Sequence, residues 1–107
     1  MSAPAVAACC GAVLALALPV VVATGSIDAA HRVAGAADAA ALAAADAHAG
    51  WVDGAPCDLA EEVLVAVGAR VDECLVDEVS GRVRLQANLP TMLGTARARA
   101  HAGPPFP

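Results

Sequence analysis

The most prominent pattern in this sequence is an apolar run at its beginning. No charged residue occurs between Met1 and Ile27, and Asp28 carries the first charge. A helix needs about 20 apolar residues to cross a bilayer, and the stretch Ala5–Ile27 exceeds that length. The pattern therefore predicts a membrane-spanning helix, and we expect the chain to be anchored in a membrane or exported.

The helical pattern continues beyond this run, in a segment composed mainly of alanine. Alanine is the best helix former, and Asp28 and Arg32 have the spacing of an ion pair one turn apart. A single helix over Ala5–Ala49 would measure about 67 Å at 1.5 Å per residue. We expect roughly half of it to lie in lipid, while the other half projects outside and ends at Gly50.

A second, short helix is predicted after the long one. Asp58 is followed three residues later by Glu61, which is the spacing of a capping box. The segment Ala60–Val67 then shows a helical apolar pattern that ends at Gly68. The residues expected to face the core are Leu59, Val63, Ala66 and Val67.

A hairpin of two strands is predicted next. Arg82–Leu89 alternates apolar and polar residues, and Pro90 is expected to end it. Arg70–Glu78 precedes it across a turn signal at Ser80 and Gly81, so the two segments should pair. The face expected to be buried carries Val83, Leu85, Ala87 and Leu89.

Ala96–Ala102 also alternates strictly and predicts a third strand. One of its faces carries Arg97, Arg99 and His101. We expect this basic face to lie opposite Asp72, Asp77 and Glu78. The predicted fold class is therefore α+β and pilin-like: a long membrane-spanning and extended helix (1–50), a small head with a short helix and a three-stranded antiparallel sheet (51–102), and a disordered tail (103–107).

Charge and size narrow the range of functions. The chain has 107 residues and a formal net charge of −5, whereas proteins that bind nucleic acid need a basic face. We therefore expect no nucleic-acid partner. From Trp51 onward about 57 residues remain, and a unit of that size is marginally stable alone. Covalent or partner support is expected.

The four cysteines form two unlike pairs. Cys9 and Cys10 are adjacent in the apolar run, where cysteine behaves as a small hydrophobe. Cys57 and Cys74 lie in the polar part, and in an exported domain they are natural disulfide partners. A loop of that size would stabilise the head by roughly 3 kcal/mol. The bond would tie the start of the short helix to the first strand.

Residues with catalytic or metal-binding chemistry are sparse. His31 and His48 are too far apart on the long helix to share a metal, and His101 stands alone on a strand, whereas a metal site needs three or four converging ligands. The sequence contains no Gly-x-Ser-x-Gly motif, phosphate loop or Cys–His arrangement. We predict no catalytic residue, metal, cofactor or small-molecule substrate, and we expect that the chain is not an enzyme.

Small residues recur along the long helix. Gly11, Ala15, Gly25 and Ala29 would let a neighbouring helix approach closely in lipid. A genome composition rich in alanine codons explains the same residues equally well. These four positions are the candidates for helix packing.

The order of these parts resembles a known family. The apolar helix runs into the block Ala-Asp-Ala-Ala-Ala-Leu-Ala-Ala-Ala at 37–45. This block is followed by a Cys, a short helix ending in VGARV, a second Cys, an alternating strand and the ending ARARAHAGP. In this order the chain resembles the short TadE/TadG-like proteins of actinobacteria, which occur with Flp-type (tight adherence) pilus and secretion genes. The likeness covers nearly the whole chain after Gly11.

The resemblance implies a minor pseudopilin, a membrane-held subunit that helps to build or prime a thin pilus or secretion filament. Its partners would be membrane lipid and other pilus or secretion-system subunits, contacted through the N-terminal helix. It would cross the cell membrane once, with the C-terminal part outside. Substrates of the prepilin peptidase carry Gly-x-x-x-x-Glu at the start of the apolar helix. Here Leu16 stands at that distance from Gly11, which favours an accessory subunit over a major pilin.

Two other interpretations stay open. Cleavage near residue 25 would release a secreted, soluble binding module, because Val-Ala-Thr-Gly near position 22 is a candidate cleavage site. A small membrane adaptor on the cytoplasmic side would instead carry Cys57 and Cys74 as free thiols. The lack of Lys or Arg before the apolar run suggests that translation starts upstream of Met1.

Overall fold

The N-terminal half of the chain is one continuous helix in the computed structural model, which describes residues 2–104. This helix, α1, spans Ala3–His48 and comprises 46 residues, or about 69 Å at 1.5 Å per residue. It accounts for most of the longest dimension of the molecule, 74 Å. The predicted long helix is confirmed. It begins before Ala5 because Pro4 fits into the first turn, where a backbone N–H would have no helical partner.

The predicted end of α1 at Gly50 is also confirmed. Gly50 has a φ of 84°, which suits a residue without a Cβ. The Gly50 N–H donates to the Ala47 carbonyl (3.1 Å), and the Trp51 N–H donates to the Asp46 carbonyl (3.0 Å). This pair of bonds is a Schellman motif, which satisfies the last carbonyls of the helix.

The second helix, α2, spans Pro56–Val65, so the predicted capping box is wrong. Pro56 starts the helix because its fixed φ suits the first helical position, and Ala55 takes the N-cap position. Asp58 lies inside the first turn, where its negative charge still stabilises the helix by its interaction with the helix dipole. The core side of α2 is formed by Ala60 and Leu64, while Leu59, Val63 and Val67 are half-buried and Ala66 is exposed.

The predicted three-stranded antiparallel sheet is confirmed. Its strands are β1 (Arg70–Val76), β2 (Val83–Thr91) and β3 (Gly94–Ala102), in the order β1-β2-β3. β2 continues through Pro90, contrary to expectation. Pro90 lies opposite Thr95 of β3 and beyond the end of β1, where β2 is an edge strand and proline is tolerated.

The turn between β1 and β2 shortens the first strand relative to the prediction. The Asp77 N–H donates to the Arg82 carbonyl (2.8 Å), and the Gly81 N–H donates to the Asp77 carbonyl (2.7 Å). Asp77 and Glu78 therefore belong to the turn and not to β1, which ends at Val76.

The core lies between one stripe of α1 and the inner face of the sheet. β2 contributes all four residues expected from its alternation, and α2 adds Leu64. The small alanine side chains of α1 let the helix approach the sheet closely, so the core is built from aliphatic residues alone. The buried residues of α1 are Val33, Ala37, Ala40, Ala41 and Ala44.

The outer face of the sheet corrects the expected pairing of charges. Arg97, Arg99 and His101 are exposed on one face of β3, as predicted. However, β3 pairs with β2 alone, so Arg97 lies opposite Asn88 and Arg99 opposite Gln86. Asp72, at an irregularity of β1, accepts a hydrogen bond from the Asn88 amide. Asp72 is therefore separated from β3 by a whole strand, whereas Asp77 and Glu78 lie in the turn between β1 and β2.

The head has two distinct ends along α1. A Cβ added at Gly81 would lie 3.3 Å from Cδ2 of His48, which places the β1–β2 turn at the C-terminal end of α1; we name this the distal end. β2 and β3 both contact α1, and β2 runs from this end back along the helix. The β2–β3 turn at Met92 and Leu93 therefore lies at the opposite, proximal end, toward the N-terminal half of α1.

Candidate functional site

The first candidate site is the apolar segment of α1, Ala3–Val21. Its 19 residues have a mean hydropathy of 2.2 and are not buried against any part of the molecule that the structure describes. Val13, Leu16 and Val21 each expose 64% or more of their surface. A core helix of the same composition would be covered by its own fold. This segment is therefore long and apolar enough to span a membrane, although a signal sequence shares these properties.

A charged pair marks the end of the apolar run. Arg32 Nη2 lies 2.9 Å from Asp28 Oδ2, and both side chains are exposed, so the predicted pair is confirmed. Such a pair contributes only a few tenths of a kcal/mol, about 0.3–0.5 kcal/mol. Ala29 and Val33 begin the contact of α1 with the core of the head. The head therefore starts immediately after the apolar run, on the same helix.

The four helix-packing candidates have different surroundings. Gly11 and Gly25 have open space where a Cβ would stand, as judged from the residues that the structure describes, and Ala15 is exposed. Ala29 is half-buried and packs against the core of the head. Gly11 lies about five turns before Ala29 at 3.6 residues per turn, so both occupy the same side of α1. Helix packing at Gly11, Ala15 and Gly25 stays a prediction.

The predicted disulfide between Cys57 and Cys74 is present. Their Cα atoms are 6.0 Å apart and their sequence separation is 17. The bond joins the first turn of α2 to β1, as expected, and its Cα separation is ordinary for a disulfide. Cys9 and Cys10 are free and exposed on the apolar segment. The head thus gains the covalent support that its small size demands.

The turn between β1 and β2 is organised by one carboxylate. Asp77 Oδ1 accepts hydrogen bonds from the Ser80 N–H (3.2 Å) and the Val79 N–H (3.0 Å). These bonds, with a smaller contribution from the charge of Arg82, lower the pKa of Asp77 below its ordinary value. The carboxylate is explained by its place in the turn.

Residues capable of chemistry are dispersed. Within residues 2–104, no three side chains of the His, Cys, Asp and Glu types are grouped so that they could hold a metal ion. An open depression of about 690 Å³ lies at the distal end of the sheet. Its charged and titratable side chains are Asp77, Arg82, Arg84 and His101.

One group of exposed residues was missed by the sequence interpretation. Met92 and Leu93, in the β2–β3 turn, expose 98% and 63% of their surface. The available signal was an apolar dipeptide between two alternating strands, where turn residues such as Asn and Gly are usual. Comparisons of the chain with protein-family models, curated proteins and solved structures found no match. The function must therefore be inferred from the residues and their geometry.

Proposed function

We propose that this chain is a non-enzymatic, membrane-anchored, pilin-like accessory subunit of a Flp/Tad-type pilus or secretion apparatus. The observation that carries the proposal is the continuity of α1, which runs from the exposed apolar segment into the core of the head. One rigid helix thus joins a segment suited to lipid to a folded head. This arrangement resembles the one expected for a minor pseudopilin.

The disulfide supports an external position for the head. Disulfides persist in oxidising compartments and are rare in the cytosol. The Cys57–Cys74 bond joins two elements of the head, so it contributes to the fold. A single pass with the C-terminal part outside the cell membrane follows from this reasoning, and the cytoplasmic adaptor becomes the weaker alternative.

The partners proposed for the apolar segment are lipid and other subunits of the apparatus. Gly11, Ala15 and Gly25 offer places where another helix can approach closely. The resemblance adds that Leu16 replaces the Glu of prepilin-peptidase substrates, which favours an accessory role in assembly.

One observation favours the alternative of a secreted binding module. Among the residues whose side chains the structure describes, the buried core begins at Val33, and Ala29 is the earliest residue packed against it. Cleavage near residue 25 would therefore leave the core intact. Against this alternative, the backbone of α1 is helical through the candidate cleavage site, whereas proteases act on extended chain.

The deciding experiment is the intact mass of the native protein from the membrane fraction, measured before and after reduction and alkylation. The proposal expects a mass that includes the apolar segment and one disulfide, mapped to Cys57–Cys74. A mass that begins near residue 26, recovered from the medium, would identify the secreted module. Fully reduced cysteines would instead place the head in the cytoplasm and overturn the proposal.

The assembly role is tested separately, by photo-crosslinking in the native host. A photoreactive residue at Ala15 should give adducts with other membrane subunits. The same residue at Asp38, which is exposed on the water-facing part of α1, is the matched control. Equal adducts from both positions would contradict assembly through the apolar segment.

A further inference from the structure

The tip of the β2–β3 hairpin, Met92 and Leu93, is unusually apolar for its position. Two-residue hairpin connections favour Asn, Asp and Gly. Here the closure of the turn depends on its flanking residues: Gly94 adopts a φ of 134°, and the Thr91 hydroxyl donates to the Gly94 carbonyl (2.5 Å). Neither the turn nor the core explains why both tip residues are large and apolar.

The position of the hairpin tip along α1 suggests what it contacts. Leu89 and Ala96 are the last facing pair of the hairpin that packs into the core, and the tip lies about three residues, or about 10 Å, beyond them. On α1 the core contacts begin at Ala29 and Val33. Val33 is the first fully buried residue among the described side chains of α1, and with Val33 level with the Leu89–Ala96 pair, about 10 Å corresponds to about six or seven residues of helix. This alignment places the tip near Ile27, the last residue before the first charge.

We propose that the hairpin tip is a second membrane contact, in which Met92 and Leu93 enter the boundary between lipid headgroups and acyl chains. The inference rests on the proposed function, because the apolar segment must cross the bilayer for the tip to meet it. Apolar side chains at this boundary are buried about 5–10 Å deep in other interfacial proteins. The occupant of this surface is thus the outer leaflet of the same membrane that holds α1.

Two arginines are placed to assist this contact. Arg70 and Arg97 flank Asn88 in the row nearest the tip that all three strands share, and both are exposed. Long basic side chains reach toward the headgroups while the neighbouring apolar residues insert. The proximal end of the head therefore combines an apolar tip with a cationic row behind it.

Tryptophan quenching by brominated lipids tests the proposal on the full chain in phosphatidylcholine vesicles. Trp51 is the sole tryptophan of the sequence and is 84% exposed, so Trp51→Phe gives a background without cost to the core. Leu93→Trp reports on the hairpin tip, and Met92→Trp is a second variant there. Val79→Trp is the matched control, because Val79 is a 98% exposed residue of the turn at the distal end.

Leu16→Trp separates the proposal from the anchoring on which it rests. We expect strong quenching of a tryptophan at Leu16. We also expect bromines near the headgroups to quench a tryptophan at Leu93 or Met92 several-fold more strongly than one at Val79, and the emission from the tip to shift to the blue. Quenching at Leu16 without quenching at the tip would overturn the membrane contact and leave the anchor standing. Absence of quenching at Leu16 would overturn both.

A second copy of the chain is the competing occupant of the hairpin tip. In that case the emission of Leu93→Trp would be unaffected by brominated lipid at low protein density. It would shift to the blue only as the number of proteins per vesicle increases. That outcome would also overturn the proposal.

Discussion

Removal of the Cys57–Cys74 bond should destabilise the head substantially. The bond closes a loop of 17 residues, for which the chain-entropy relation gives about 3 kcal/mol. The head and the part of α1 that packs on it, residues 28–104, comprise 77 residues and are expected to have a total stability of about 4–11 kcal/mol. Loss of the bond therefore removes between a quarter and most of that stability. At about 4–8 °C per kcal/mol, the melting temperature should fall by about 12–24 °C.

The assay is thermal unfolding of the full chain in detergent micelles, followed by far-ultraviolet circular dichroism. Two perturbations should agree: the double variant Cys57→Ala/Cys74→Ala, and the wild-type protein under reducing conditions. The matched control is Cys9→Ala/Cys10→Ala, because those cysteines are free and exposed. If both double variants melt at the wild-type temperature, the disulfide does not stabilise the head and the reasoning is refuted.

Three further predictions test the core, the turn and the apolar segment. Ala41→Leu should cost about 1–3 kcal/mol in urea unfolding because Ala41 is fully buried in the core. Ala39→Leu, on the exposed side of α1, should change little, and equal effects would contradict the assigned core stripe. The N–H groups of Ser80 and Val79 lower the pKa of Asp77 in the folded state, so the unfolded state takes up its proton at a higher pH than the folded state does. The ionised Asp77 carboxylate therefore stabilises the fold fully above about pH 3.9, and this stabilisation is lost as the pH falls through the lowered pKa. Asp77→Asn should therefore flatten the acid limb of the stability–pH curve, and an unchanged limb would argue against these hydrogen bonds. Leu16→Arg should make the free energy of membrane insertion less favourable by about 2.5–3.5 kcal/mol. Less of the protein should then stay in the membrane fraction after carbonate extraction, and an unchanged amount would argue against a membrane-spanning segment.

The order and type of the elements could be predicted because they depend on local periodicity. The apolar run and the alanine-rich segment after it predicted a helix over Ala5–Ala49, close to the observed Ala3–His48. The alternation of Arg82–Leu89 predicted the buried face of β2. Gly50 and Gly68 were predicted as helix ends because glycine commonly follows the last helical residue. Both adopt a positive φ, which suits glycine. Patterns with periods of 3.6 and 2 carry this information directly.

The errors concern features that periodicity does not contain. The start of α2 could have been set by Pro56 or by Asp58, and the chain uses the proline. Alternation predicted the correct face of β3 for Arg97 and Arg99, but it does not specify which strand pairs with β3. The hairpin tip was missed for a similar reason, because its level relative to α1 depends on how β2 runs along the helix.

If α1 spans the membrane as proposed, its continuity couples the tilt of the apolar segment directly to the position of the head. The helix extends about 32 Å from Ile27 to its end at His48, and transmembrane helices tilt by about 20° on average. A tilt of that size would displace the distal end of the head sideways by roughly 11 Å, because the helix transmits the rotation without a joint. A change in how neighbouring helices pack in the bilayer would thus become a large movement of the surface around Trp51, on the far side of the membrane boundary.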